Sequence, residues 1–356
     1  MNGFLQSIPM VAVTVLAFGL LIVIHELGHY LAARWSGMRV ERFSVGFGPV
    51  IWSRKRGDTE WAFSAIPLGG YVKIAGMAPG EEIAEGDTSS YSHKPAWKRF
   101  LVILAGPAMN YLLAVVMAVG LIATMGLREP DQSSTIGDVI SGGAAERAGL
   151  KAGDRVVSAG GAPVEGWKGL VEAVRSHPGK ELALGVARAG SAPGSLPEAV
   201  LLRPDDSGGI GKAGIAPNLR AVRAGLIESV AMGFRRTNDK AGEILAGLGQ
   251  VVTRKQKAEL QGPLGIAQEM TRSARAGAAP FLMMVWLISI MLAIFNFLPL
   301  PALDGGRLIF LVYEMVTRRP VNQKVESVIH TVGFILLFGL LIGVTVFGDL
   351  PRLFRR

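Results

Sequence analysis

The chain has no cysteine among its 356 residues, which excludes disulfides, a thiol nucleophile and thiolate metal ligands and leaves histidine and carboxylate to bind any zinc-type ion. Histidine is scarce, at five copies. No charged residue occurs in the first 24 positions, a stretch long enough to cross a bilayer. It lacks the basic residues that open a secretory signal, and a cut behind it would strand the residues that follow, so it reads as a retained anchor. No internal repeat and no nucleic-acid motif is visible. The net charge of +9 therefore fits basic loops facing anionic lipid rather than a nucleic-acid partner. With 50% hydrophobic and 18% charged residues and a mean hydropathy of +0.37, the chain is too apolar for an average soluble protein and too charged for membrane helices alone. Several spans plus a soluble domain are expected.

What is present begins with His25-Glu26-Leu27-Gly28-His29, at the inner end of the first apolar run. On a helix His25 and His29 stand four residues apart on one face, so both imidazoles reach one ion while Glu26 points at its open side. Zinc held in this way keeps a position for water and lowers its pKa, and the carboxylate takes the proton as the water attacks a carbonyl. Ionisable groups at membrane depth are costly and usually functional. His93, His177 and His330 lack such spacing and read as ordinary surface or interfacial residues.

Four runs read as spans, about 8–24, 100–127, 281–303 and 331–348. Arg34, Arg39, Arg42, Lys94, Lys98 and Arg99 flank the first connecting segment and place it in the cytoplasm by the positive-inside rule. Arg307, Arg318, Arg319 and Lys324 agree, whereas Arg352, Arg355 and Arg356 would lie outside, against the trend. Both termini are then extracytoplasmic. Spans one and three run in the same direction, so a ligand at the end of span three lies at the depth of His25 and His29.

Between the first two spans, residues 43–52, 61–66 and 70–74 are β-rich and punctuated by glycine, with a turn at 55–58. Hairpins against the membrane beside the metal motif are expected, either as a cap or as a strand edge for an extended substrate. Residues 81–87 read as an acidic surface excursion. Span two opens Leu104-Ala105-Gly106-Pro107-Ala108-Met109-Asn110, where small residues permit close approach to span one and Asn110 can hydrogen-bond across helices. From 128 to 218 the chain is soluble in character, and Ala148-Gly149-Leu150-Lys151-Ala152-Gly153-Asp154 resembles the helix-turn-strand of a PDZ domain. Residues 167–174 read as its second helix and 182–188 and 199–202 as strands. PDZ domains bind peptides by strand addition; the permuted bacterial form would place the carboxylate loop near Gly214 and Ile215. A size filter that binds no peptide is the other reading. Residues 226–252 have helical apolar spacing suited to an interface.

Span three ends Asn296-Phe297-Leu298-Pro299-Leu300-Pro301-Ala302-Leu303-Asp304-Gly305-Gly306. The prolines disturb the helix, and irregular backbone at that depth is tolerated where it lines a cavity. Asp304 supplies a carboxylate to complete a His-His-carboxylate site, and Asn296 can contact substrate or stabilise developing charge.

HELGH, the glycine-punctuated β segments, LAGPAMN, one PDZ stretch, GPLGIA and NFLPLPALDGG together resemble the site-2 protease family, bacterial regulator-of-sigma-E type, nearly end to end. The resemblance implies an intramembrane zinc metalloprotease of the inner membrane, with the active site near the cytoplasmic side and the PDZ domain outside. It implies one zinc ion per chain on His25, His29 and Asp304, Glu26 as base, and substrate-handling roles for Asn296 and Pro299; Asn110 keeps the supporting role read above. Its substrates would be transmembrane segments of single-span proteins of the anti-sigma-factor type, pre-trimmed by another protease, or remnant signal peptides. Some relatives carry two PDZ domains where this chain shows one. The expected fold is a polytopic α-helical membrane protein of four transmembrane helices with a membrane-associated β-hairpin region and one inserted α+β PDZ domain. The expected divisions are 1–34 (span one), 35–99 (hairpins), 100–127 (span two), 128–220 (PDZ), 221–280 (interfacial region), 281–306 (span three) and 307–356 (loop, span four and tail). Competing readings are a PDZ-bearing adaptor with a structural metal, which would need a fourth protein ligand; a transporter, suggested by the broken helix; and a zinc membrane peptidase of another kind, which would take its third ligand from glutamate.

Overall fold

The computed structural model describes residues 2–78, 81, 86–131, 133–192, 195–222, 224–253 and 262–351. The backbone forms two compact units, one of Met1–Leu121 with Leu226–Arg356 and one of Ile122–Gly225. In the first unit, helix α1 (Asn2–Trp35) carries a candidate span at Met10–Trp35. It continues past the expected end of the apolar run, because nothing between Ile24 and Trp35 breaks a helix, so the HELGH motif lies well inside it. Strands β1 (Val40–Arg56) and β2 (Thr59–Ile74) follow, joined by a tight turn with Gly57 at φ 63°. The expected separate β piece at 70–74 is the continuation of β2. Residues 42–45 of β1 are partnered both by 60–63 and by 70–73, so β2 folds back along both edges of β1. Helix α2 (Ala96–Met125) contains Pro107, which removes one backbone donor without ending the helix. Of the expected acidic excursion, residues 82–85 lie outside the described residues; Asp87 pairs with Arg39 at 3.0 Å.

The second unit is built from short elements: β3 (Leu127–Pro130), β4 (Ile136–Val139), α3 (Ala144–Arg147), β5 (Arg155–Ala159), β6 (Ala162–Pro163), α4 (Gly166–Arg175), β7 (Leu182–Ala187), β8 (Glu198–Leu202), β9 (Asp205–Asp206), β10 (Gly211–Lys212), β11 (Ile215–Pro217) and β12 (Leu219–Val222). The central antiparallel sheet has the order β6-β5-β7-β8, and β11 pairs with β4 and β12 with β3. Alternate residues Leu182, Leu184 and Val186 of β7 point inward, as a half-buried strand requires, and pack with Ile136, Val156, Leu170 and Leu202 in one core. Asp154 is buried there and accepts from the Lys151 backbone N–H at 2.9 Å and from Arg188 at 2.6 Å.

The first unit resumes with α5 (Leu226–Val252) and α6 (Pro263–Ala276). Pro263 sits at the first position of α6, where its missing N–H is no loss, and Asp349 accepts from the N–H groups of Gly262 and Gly265, each at 3.0 Å. Helix α7 (Ala278–Phe297) packs Val285 and Ile288 against Leu21 of α1 and Met270 of α6. It stops at Phe297 rather than running to 303, because Leu298 precedes Pro299 and adopts an extended conformation. The segment after 306 is no loop: α8 (Asp304–Thr317) starts at Asp304 itself. Helix α9 (Gln323–Val344) continues through a wider turn to Asp349, so the fourth candidate span is Gln323–Asp349 and begins eight residues earlier than expected. Among the described residues four helices are thus long and apolar enough to cross a membrane. The tail residues Arg352, Arg355 and Arg356 lie outside the described residues.

Candidate active site

Four helices and one strand build the centre. The four-residue spacing on α1 brings the imidazoles of His25 and His29 together, with Nε2 atoms 3.2 Å apart. Asp304, the first residue of α8, places Oδ2 2.9 Å from His25 Nε2 and 3.3 Å from His29 Nε2. A tetrahedral zinc ion with bonds of about 2.0–2.1 Å sets its ligand atoms about 3.3 Å apart, so this triangle is the right size and the donor set suits that ion. Among the described residues no other group of three His or carboxylate side chains converges this way.

The neighbours dictate how each ring lies. His29 Nδ1 donates to the Val102 carbonyl of α2 at 2.7 Å, which leaves Nε2 unprotonated and facing the triangle. Gly106 on the next turn of α2 is what admits the rings. A Cβ there would lie 2.4 Å from two atoms of the His29 ring and 2.8 Å from His25 Nε2. Gly28 plays the reciprocal part on α1, since its Cβ would lie 2.2 Å from the Ala105 carbonyl oxygen. Behind His25, the fully buried Asn110 places Nδ2 3.3 Å from His25 Nδ1, and its Oδ1 has no hydrogen-bond partner among the described residues. Ser289 of α7 donates to the Asn110 carbonyl at 2.7 Å, tying α2 to α7. Glu26 lies beside the triangle, and its Oε2 accepts the backbone N–H of Val72 at 3.1 Å.

His25, Glu26, His29, Asp304 and Asn296 line one cavity of about 1280 Å³. Pro299 is elsewhere, in a small apolar cleft with Phe100, Phe297 and Leu308. Gly214 and Ile215 belong to the other unit; Gly214 has φ 72° and its carbonyl accepts from Ile140 N–H at 2.8 Å, while Ile215 pairs with Val139. Four participants escaped the sequence reading. The Val102 carbonyl and the Val72 N–H are backbone groups with no sequence signature, and Gly106 was legible only as a small residue. His330 reads from its spacing as an ordinary surface or interfacial residue, yet it lines the same cavity.

Two imidazoles and a carboxylate at ligand spacing, with a second carboxylate alongside on one helix, is a hydrolytic metal centre by its chemistry. A model of peptidase family M50 matches residues 13–340. The chain belongs to peptidase family M50, the site-2 proteases. It is 30% identical to the zinc metalloprotease RasP of Geobacillus kaustophilus, with 96% of this chain and 97% of the relative covered. It is also 30% identical to the regulator of sigma-W protease RasP of Bacillus subtilis, covering 96% and 98%. As an M50 peptidase with four apolar helices of spanning length, the chain is a membrane metalloprotease.

Proposed function

We propose that this M50 peptidase is an intramembrane zinc protease that hydrolyses peptide bonds inside the transmembrane segments of single-span proteins. The observation that carries the reading is the His25–His29–Asp304 triangle, in which both histidines sit on a helix apolar enough for a bilayer and Asp304 follows the end of another, open to a cavity that also holds Glu26. His25, His29 and Asp304 would hold one zinc ion per chain. Zinc bound there supplies a Lewis acid for the scissile carbonyl and lowers the pKa of water. Glu26 takes the proton of the attacking water and returns it to the leaving amine. The Val72 N–H donates to Glu26 Oε2 and so restrains the carboxylate. Asn296 lines the cavity, which supports a role as a donor to the substrate carbonyl.

A transmembrane helix shields its own peptide bonds, so cleavage requires an extended stretch. Residues 70–74 of β2 reach Glu26, which supports their use as a strand edge for the unwound substrate. Phe47, Ile51, Trp52, Phe63 and Ile66 of the same hairpin are exposed apolar side chains, which suits contact with lipid. The substrates we assign are anti-sigma-factor-type proteins already trimmed by another protease, and remnant signal peptides. The second unit is assigned as a PDZ domain on its two helices and antiparallel sheet, with Gly214 and Ile215 near the loop that would receive a peptide carboxylate. The setting is the bacterial inner membrane, with the metal site towards the cytoplasm and the PDZ domain and both termini outside.

The test is to incubate the purified protein with a single-span substrate in detergent and map the new termini by mass spectrometry. Cuts within the apolar span are expected. Cuts confined to soluble flanks would contradict the reading.

A further inference from the structure

His330 projects from α9 onto the turn that delivers Asp304. The backbone N–H of Ala302 donates to His330 Nδ1 at 3.1 Å. Ala302 has φ 73°, a left-handed conformation that is costly for a non-glycine residue and persists only where the surroundings impose it. Three further contacts fix the same place. A Cβ on Gly333, three residues along α9, would lie 2.2 Å from Pro301 Cβ, so α9 and the turn meet as closely as a glycine allows. Gly306 of α8 faces the ring, where its added Cβ would be 3.2 Å from His330 Cε1. Phe310 packs edge-on against the imidazole with centroids 5.8 Å apart. Residues 301, 302 and 306 are thus gripped from α9, on both sides of Asp304.

We propose that His330 is a positioning residue. By accepting the Ala302 N–H it holds the left-handed turn that aims Asp304 at His25 and His29. The inference rests on the reading of Asp304 as a metal ligand. Accepting at Nδ1 puts the ring proton on Nε2, an atom that is buried without a partner among the described residues, on the wall of the active-site cavity. A direct hydrogen bond from Nε2 to a substrate carbonyl is therefore the competing role, and the two nitrogens can be tested separately. Asparagine places Oδ1 where Nδ1 stands; glutamine keeps a donor near Nε2 but loses the Nδ1 acceptor.

The experiment measures zinc affinity of the full-length protein in detergent, by competition with a chromogenic chelator, for wild type, His330→Asn, His330→Gln, His330→Leu and Asp304→Ala. Leu and Gln should weaken zinc binding by about tenfold or more while Asn stays within about threefold of wild type, the scale expected of a group that orients a ligand. Cleavage by His330→Asn should be recovered in parallel. Wild-type zinc affinity in both Leu and Gln, with Asp304→Ala unable to bind, would overturn the positioning role and leave the ligand reading intact. Wild-type affinity in Asp304→Ala would instead overturn the ligand reading. If the Leu variant does not fold, the Asn and Gln pair still decides: a Gln variant that binds zinc better than the Asn variant overturns the proposal.

Discussion

Gly106 bears directly on the two imidazoles, because any side chain there occupies the space of their ring atoms. A Gly106→Ala change must push α2 away or turn the rings, and both separate the ligand atoms. The purified variant should contain well under one zinc per chain by elemental analysis, while its helical circular dichroism is kept. Asn110 acts from the opposite side. For His25 to present a free Nε2 its proton must sit on Nδ1, where it needs an acceptor. Asn110 Oδ1 is the atom without a partner among the described residues, and half a turn of the amide brings it there. Asn110→Ala should weaken zinc binding by about 10–100-fold, as loss of an outer hydrogen-bond partner does elsewhere. Asn110→Asp, which keeps an acceptor, should bind more tightly than the alanine variant, as read by chelator competition.

At the scale of elements, much of the centre was legible and the reasons differ from piece to piece. The four-residue histidine spacing is a property of any α-helix, so placing His25 and His29 on one face needed only the helix. Asp304 followed from its position after a span running the same way as the first. The apolar run continues through Leu298-Pro299-Leu300, whereas α7 ends at Phe297, as the prolines imply: the residue before proline leaves the helix. Helix α8 occupies what reads as a loop after 306, and it carries glycines at 305 and 306 in its first turn. They are required by close approach, since Cβ atoms there would lie 1.9 Å from the Leu298 carbonyl oxygen and 2.6 Å from that of Leu300. In the second unit the ion pair of Asp154 and Arg188 joins the start of β5 to the end of β7. Asp154 is 2% exposed, so Arg188→Ala leaves a buried carboxylate short of a partner, at a cost of about 2–3 kcal/mol. Hydrogen exchange on the full-length protein should show faster exchange confined to β5, β7 and β8, with zinc content unchanged.

At the scale of the whole molecule, the chain joins a unit with four potential spans to a mixed helix-and-sheet unit inserted between residues 122 and 225. Composition announced that division, because half the residues are hydrophobic while charge is concentrated outside the apolar runs. What composition could not convey is which backbone groups face the centre: the Val102 carbonyl, the Val72 N–H and the Ala302 N–H are identical in every sequence and acquire a role only through packing. The lone His330 illustrates the same point, since no local pattern marks a residue whose partner lies 28 positions away. Removing zinc with a chelator should abolish proteolysis, and one equivalent of zinc per chain should restore it; activity that survives a metal-free preparation would contradict the single-ion centre.

The most direct test of the account combines zinc content with cleavage of a single-span substrate for wild type, Glu26→Gln and Asp304→Ala. Wild type should hold one zinc and cleave. Glu26→Gln should hold one zinc and lose cleavage by at least about 100-fold, the scale of a lost general base, and Asp304→Ala should lose both. Cleavage by Glu26→Gln at the wild-type rate, or full zinc in Asp304→Ala, would contradict it.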